Sequence, residues 1–436
     1  MKKFGCLILS LILAFSVFAL PVSAAYKPTF ELHSGAAILY NTDTDTVLFS
    51  EDADKRIYPA SLTKIMVAVL LVENVPDLEN LTVEISEDIY LEYRYSEAVI
   101  AGFDAGDKVN GNDLLAYTMV KSCADAAAAI AVEVAGSENA FVEMMNKKAL
   151  EIGMTGTHFE NCHGLHSPDH YSTVRDLCIL TKYAMQFSAI TDIVKVARYV
   201  TRDEVTLAAT NLMIDPTSDY YYRYATGFKT GYTDEAGRCL ASTASYEGMT
   251  YICILVGCPA VENSIENRYE FVDSAELYRW AFLNFSYRSV LGKSETVDSV
   301  PIKYSWDYDT LNIRPESQVF AIMPNEADDS TIDIKVDYIS DTVEAPVKKG
   351  TVLGTIKIYY ANELIGSVNA VAASSVEGSQ LLKLFSGIGE FLSAHKQLIA
   401  AIVLALLIVV ISFIFAVIRL NGKRKKYGKV RNYKRF

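Results

Sequence analysis

The stretch Tyr58-Pro59-Ala60-Ser61-Leu62-Thr63-Lys64-Ile65-Met66 decides how the rest of the chain is read. Pro59 keeps the residue before it extended, and the apolar run from Ile65 to Val72 reads as a buried helix. Ser61 then falls in the first helical turn. Lys64, three residues on, lies on the same face, so hydroxyl and amine can meet. A neutral lysine can take the serine proton, and a helix N-terminus favours the negative charge that develops. The spacing alone is common, since Ser393–Lys396 repeats it beside the apolar C-terminal segment. Other parts of the chain have to decide.

The two ends give a topology. Lys2 and Lys3 precede the apolar run Cys6 to Leu20, and Pro21-Val22-Ser23-Ala24-Ala25 supplies a small-residue cleavage site. Residues 1–24 therefore read as a secretory signal peptide. Leu398 to Ile418 is uncharged and apolar, long enough at about 1.5 Å per residue to cross ~30 Å of hydrocarbon. The tail from Arg419 to Phe436 is basic and carries no acid, which places it in the cytoplasm. The expectation is a single-pass protein of the cell membrane with its body exported. Nine of the 40 Lys and Arg lie from Arg419 onward and two in the leader, leaving 29 against all 53 acids, a charge of about −24. That balance opposes nucleic-acid binding, and the basic tail reads as a topology determinant beside anionic lipid. Six cysteines remain outside the leader, sparse and irregularly spaced, and are read mainly as core thiols with their pairing open.

Between the ends the chain changes character once. Ala36–Tyr40 and Val47–Phe49 read as a hairpin. Asn112 reads as the cap of a long helix broken near Ser122, and helices are expected over Glu138–Ile152, Val174–Phe187 and Tyr269–Phe285. Arg238–Ser245 and Thr250–Val256 read as strands hinged at Glu247-Gly248. Residues 25–287 are thus expected to form an α+β domain. Residues 288–373 carry short β-rich runs and form a second, small all-β domain. Residues 374–397 are a partly amphipathic linker, 398–418 the transmembrane helix, and 419–436 the basic tail.

Two further segments complete a constellation with Ser61 and Lys64. Ser122 lies at the helix break, and Gly227-Phe228-Lys229-Thr230-Gly231-Tyr232 precedes a strand. Glycine there lets a substrate backbone lie against an edge strand, while Lys229 and Thr230 offer an ammonium and a hydroxyl to a carboxylate. Two lysines facing one serine disfavour each other's charge, which helps keep Lys64 neutral. His158, His163, His166 and His170 crowd a short loop, but their spacing fits no zinc pattern, and neither metal nor cofactor is expected.

The order Ser61-x-x-Lys64, Ser122, Lys229-Thr230-Gly231 resembles the signature of penicillin-binding proteins and serine β-lactamases. In detail the chain is similar to the low-molecular-mass D-alanyl-D-alanine carboxypeptidases over roughly residues 30 to 372. His163-Gly164-Leu165-His166, His170-Tyr171-Ser172-Thr173, Gly227 to Gly237 and Ala345 to Gly350 support this. The resemblance implies a β-lactamase/transpeptidase-like catalytic domain in which Ser61, Lys64 and Ser122 are catalytic. It implies substrate contacts from Lys229, Thr230, Gly231, Tyr232 and Arg268, with the Ser61 and Tyr232 amides forming an oxyanion hole. The implied substrate is a peptidoglycan stem peptide ending in D-Ala-D-Ala, with β-lactams as inhibitors. A class A-like β-lactamase and a weakly active or silent wall-binding protein are the alternatives. One departure motivates the last: the family's asparagine in the second motif falls at Ala124, followed by Asp125.

Overall fold

The computed structural model describes residues 28–260 and 267–429. The expected leader lies outside them, as do residues 430–436 of the tail. Two compact units emerge. The first comprises the chain up to Gly292 together with Gln318–Lys335 and Lys357–Ser367.

Within the first unit the strands up to Cys258 are β1 (Ala36–Asn41), β2 (Thr46–Glu51), β3 (Thr82–Glu84), β4 (Lys108–Asn110), β5 (Arg198–Val200), β6 (Thr206–Ala208), β7 (Ala225–Gly227), β8 (Thr230–Thr233), β9 (Gly237–Tyr246) and β10 (Met249–Cys258), and Phe285–Leu291 pairs separately with Val319–Pro324. The main antiparallel sheet runs β2-β1-β10-β9-β7, and β8 also pairs with β9. Every residue of β1 is buried because both sheet faces are covered. Ala36, Ile38 and Tyr40 pack into a helical core, while Ala37 and Leu39 point to the opposite cluster. On β10, Ile252, Ile254 and Val256 face the first and Tyr251, Cys253 and Leu255 the second. Burial on both faces is why these strands read as continuous apolar runs rather than as alternation.

The helices of this unit are α1 (Lys64–Asn74), α2 (Glu87–Tyr93), α3 (Gly111–Ala116), α4 (Ala124–Ala135), α5 (Glu138–Glu151), α6 (Val174–Ala184), α7 (Ser188–Val194) and α8 (Tyr269–Asn284). Helix α1 lies in the helical core with Ile65 to Val69 fully buried, and α8 covers the other face through Phe271, Leu277 and Tyr278. Three expectations need correction. Ser61 precedes the α-helix, on a 3-10 turn over Ala60–Thr63. The cap of α3 is Asn110, whose side chain accepts from the Asn112 amide at 3.0 Å. The helix expected over Val174–Phe187 stops at Ala184, and α7 starts at Ser188.

The second unit comprises Lys293–Ser317, Val336–Ile356 and the chain from Val368 onward. In it Asp298–Lys303 pairs antiparallel with Thr310–Pro315, whose end pairs with Ala370–Ala372. Its chain continues into an exposed helix, Gln380–Ala394, with Leu381, Leu384, Phe385, Ile388, Phe391 and Leu392 along one stripe. A second helix follows from Lys396, and Lys396–Leu420 is long and apolar enough to cross a membrane.

The N-terminal strand entry of the first unit is held by one buried carboxylate. Asp273 of α8 accepts from the His33 and Ser34 amides at 2.8 and 2.9 Å and from His33 Nδ1 at 2.8 Å. Removing it leaves two amides without their partner, so Asp273→Ala is expected to lower unfolding free energy by about 2–4 kcal/mol. Urea denaturation of the purified protein reads this, and an unchanged midpoint would refute the clamp.

Candidate active site

Ser61 is reached from three directions. On its own turn, Lys64 Nζ donates to Ser61 Oγ at 3.1 Å and to the His163 carbonyl at 2.5 Å. Lys64 is almost completely buried, whereas Ser61 is only partly so. From the sheet, β8 lies directly against the serine. A Cβ on Gly231 would stand 3.0 Å from the Ser61 amide nitrogen and 3.1 Å from Ala60 Cβ. From the loop side, Gly164 has φ +83, and a Cβ there would lie 2.1 Å from the Ala60 carbonyl oxygen. Gly164 admits no side chain, and at Gly231 a side chain would fit only if the Ser61 turn gave way by a few tenths of an ångström.

A histidine braces the same turn. The Glu160 amide donates to His170 Nδ1 at 3.0 Å, which leaves the ring proton on Nε2, 2.7 Å from Thr63 Oγ1. The Thr63 hydroxyl in turn donates to the Ala60 carbonyl at 2.8 Å. Burial, and after it the neighbouring cationic groups, hold the His170 pKa down to about 3, so the ring is neutral. His158 turns to the Asp169 carbonyl, and His166 packs edge-on to Tyr58. The loop histidines thus serve the turn.

Lys229 is fully buried, and its Nζ donates to the Thr230 carbonyl at 2.9 Å. Desolvation first, and the charge of Lys64 second, push its pKa well below the ordinary lysine value. Desolvation also lowers Lys64, to about 8, against a partial offset from Cys162, Cys123 and Asp125. The Thr230 hydroxyl donates to Thr210 Oγ1 at 2.7 Å. Ser122 is buried and left-handed (φ 71), ending the widened turn Tyr117–Lys121. Burial pushes the thiol of its neighbour Cys123 up to about 12, against a partial offset from the charges of Lys64, Lys121 and Lys229.

Two residues are less direct. Tyr232 is half exposed at the edge, its hydroxyl donating to Asp234 at 2.6 Å. Arg268 caps α8 and donates from Nε to Glu270 Oε1 at 2.6 Å, with its guanidinium over Phe271. Ala124 opens α4, fully buried, with its amide donating to the Val99 carbonyl at 2.8 Å. Asp125 does not replace the missing amide, because its carboxylate already accepts from the Ala101, Gly102 and Ala126 amides. The six cysteines among the described residues are buried and form no disulfide.

This fold is shared with penicillin binding protein 5 of Haemophilus influenzae, at a TM-score of 0.67 and 24% identity over 81% of this chain and 100% of that one. The family model for D-alanyl-D-alanine carboxypeptidase matches residues 22–260, and that for the C-terminal domain of penicillin-binding protein 5 matches residues 285–378. The D-alanyl-D-alanine carboxypeptidase DacC of Escherichia coli is 30% identical over 84% of this chain and 90% of its own. DacF of Bacillus subtilis is 28% identical over 80% and 88%. The chain belongs to the D-alanyl-D-alanine carboxypeptidase family.

The contact of Gly164 with Ala60 gives a direct test of how the Ser61 turn is held. A methyl group there meets backbone and takes a left-handed φ, so Gly164→Ala is expected to destabilise the protein by about 2–4 kcal/mol. A shift of the urea midpoint measures it. No shift would show that the loop does not press on the turn.

Proposed function

We propose that the protein removes the terminal D-alanine from peptidoglycan stem peptides through an acyl-enzyme on Ser61. The observation that carries this reading is the convergence of Lys64 Nζ on Ser61 Oγ with Gly231 packed against the Ser61 amide. The neutral Lys64 amine takes the hydroxyl proton as Oγ attacks the carbonyl of the penultimate D-alanine. The oxyanion lies between the Ser61 and Tyr232 amides, at the free edge of β8. As the C–N bond breaks, Ser122 hands its proton to the departing amine and is reprotonated by Lys64. The free Lys64 amine then takes a proton from the water that releases the shortened peptide. Thr230 and Lys229 face the terminal carboxylate. β-Lactams acylate the same serine.

Location follows from the ends of the chain. The apolar helix over Lys396–Leu420 anchors the protein as a single span, and the stripe on Gln380–Ala394 suits a position at the membrane surface. The leader and the basic tail put the body outside and the tail in the cytoplasm. An anchored, outward-facing enzyme meets an insoluble wall polymer. In this reading residues 25–287 are the catalytic domain and 288–373 the β-rich domain.

Ala124 favours a slow enzyme of this class. Its methyl group offers no hydrogen bond to the substrate amide, and Asp125 is occupied elsewhere. One such bond contributes ~1–3 kcal/mol, a loss in rate rather than of chemistry.

D-Alanine release from a diacyl-D-Ala-D-Ala peptide tests the function, and Ser61→Ala is expected to abolish it. Because Lys64 must lose its proton to act as base, kcat/KM is expected to rise with pH through a midpoint near 8. Wild-type protein that releases no D-alanine at any pH would contradict the reading. Ala124→Asn is expected to raise turnover by about tenfold. An unchanged rate would show that the missing amide does not limit the reaction.

A further inference from the structure

The substrate reading leaves the terminal carboxylate without a permanent positive charge. Lys229 is sealed from solvent and already donates to the Thr230 carbonyl, and Arg268 is tied to Glu270 at 2.6 Å. A third cation stands closer to the strand edge. Arg238, the second residue of β9, lies opposite Tyr232, while Thr230 pairs with Leu240 two positions along. Cross-strand partners share a face, so Thr230, Tyr232 and Arg238 project from the same side of the β8–β9 pair. Thr230 and Arg238 are diagonal neighbours, about 7–8 Å apart at the backbone and within the reach of an arginine side chain.

The surroundings of Arg238 leave it available. Its guanidinium carbon lies 5.6 Å from the centre of the Tyr232 ring, and its NH1 nitrogen is 4.0 Å from Glu270 Oε1, beyond hydrogen-bond distance. Its Nε is buried without a hydrogen-bond partner, as is the second carboxylate oxygen of Glu270. Glu270 is buried to 1% and cancels one positive charge, which Arg268 supplies. One charge remains in the cluster, and it belongs to the arginine nearer the edge.

We infer that Arg238 is the specificity residue that reads the terminal carboxylate of the substrate, beside the Thr230 hydroxyl, with Glu270 orienting its guanidinium. This rests on the carboxypeptidase reading above. Arg268 then acts as the counter-charge that keeps Glu270 from capturing Arg238. A planar guanidinium suits a carboxylate because two parallel N–H bonds can form at once.

The test compares full-length protein acting on one diacyl peptide in two forms, ending in D-Ala-D-Ala or in its C-terminal carboxamide. Arg238→Gln, which keeps the stem, is expected to lower the ratio of kcat/KM for carboxylate over carboxamide by about 10- to 100-fold, chiefly through KM. Arg238→Lys is expected to recover part of it. Arg268→Gln is expected to lower both substrates together. An unchanged ratio in Arg238→Gln, or a selective loss in Arg268→Gln instead, would overturn the assignment. Failure of the wild-type protein to cleave either peptide would instead count against the carboxypeptidase reading itself.

Discussion

The close approach of strand β8 to the turn carrying Ser61 is the constraint on which the rest depends. Gly231 brings one backbone to within a methyl group's reach of another, and Gly164 does the same from the loop that carries the histidines. Between these two contacts the serine has little freedom. The two lysines then enter from different elements, Lys64 from the start of α1 and Lys229 from the approach to β8, and both end in the dry interior. Neither could remain charged there cheaply. Desolvation lowers both, and the repulsion of Lys64 lowers Lys229 further. An amine that gives up its proton near pH 8 beside a hydroxyl is therefore a consequence of burial, not an added device.

The same packing explains why the loop histidines matter without touching chemistry. His170 holds Thr63, and Thr63 holds the Ala60 carbonyl, the group that Gly164 also presses on. Such support fixes a nucleophile better than its own rotamer preferences can. Next to Ala124, Asp125 ties the Ala101–Gly102 backbone to the start of α4. That backbone is thus fixed, even though the position that carries an amide in the family holds only a methyl group.

Much of this was legible in the chain. The hairpin at Ala36, the paired strands on either side of Glu247-Gly248 and the helix from Tyr269 follow from apolar runs and turn residues. The Ser61–Lys64 contact follows from spacing. The 3-10 turn at Ala60 was not, because local spacing cannot separate it from the first turn of an α-helix. The short exposed hairpin of β5 and β6 and the strand Phe285–Leu291 were missed, being too short or too polar for periodicity to show. Nor does any local pattern show that Gly231 meets Ser61 across the fold, or that Arg238 faces Tyr232. Those are facts of register.

Covalent trapping tests the central claim most directly. Full-length protein is incubated with a penicillin, digested, and the modified residue located by mass spectrometry. A single adduct on the Ser61 peptide, lost in Lys64→Ala and slowed by a side chain at Gly231, is the predicted result. An adduct on another residue, or trapping at Ser61 that is indifferent to Lys64, would contradict a serine activated by a buried, neutral lysine.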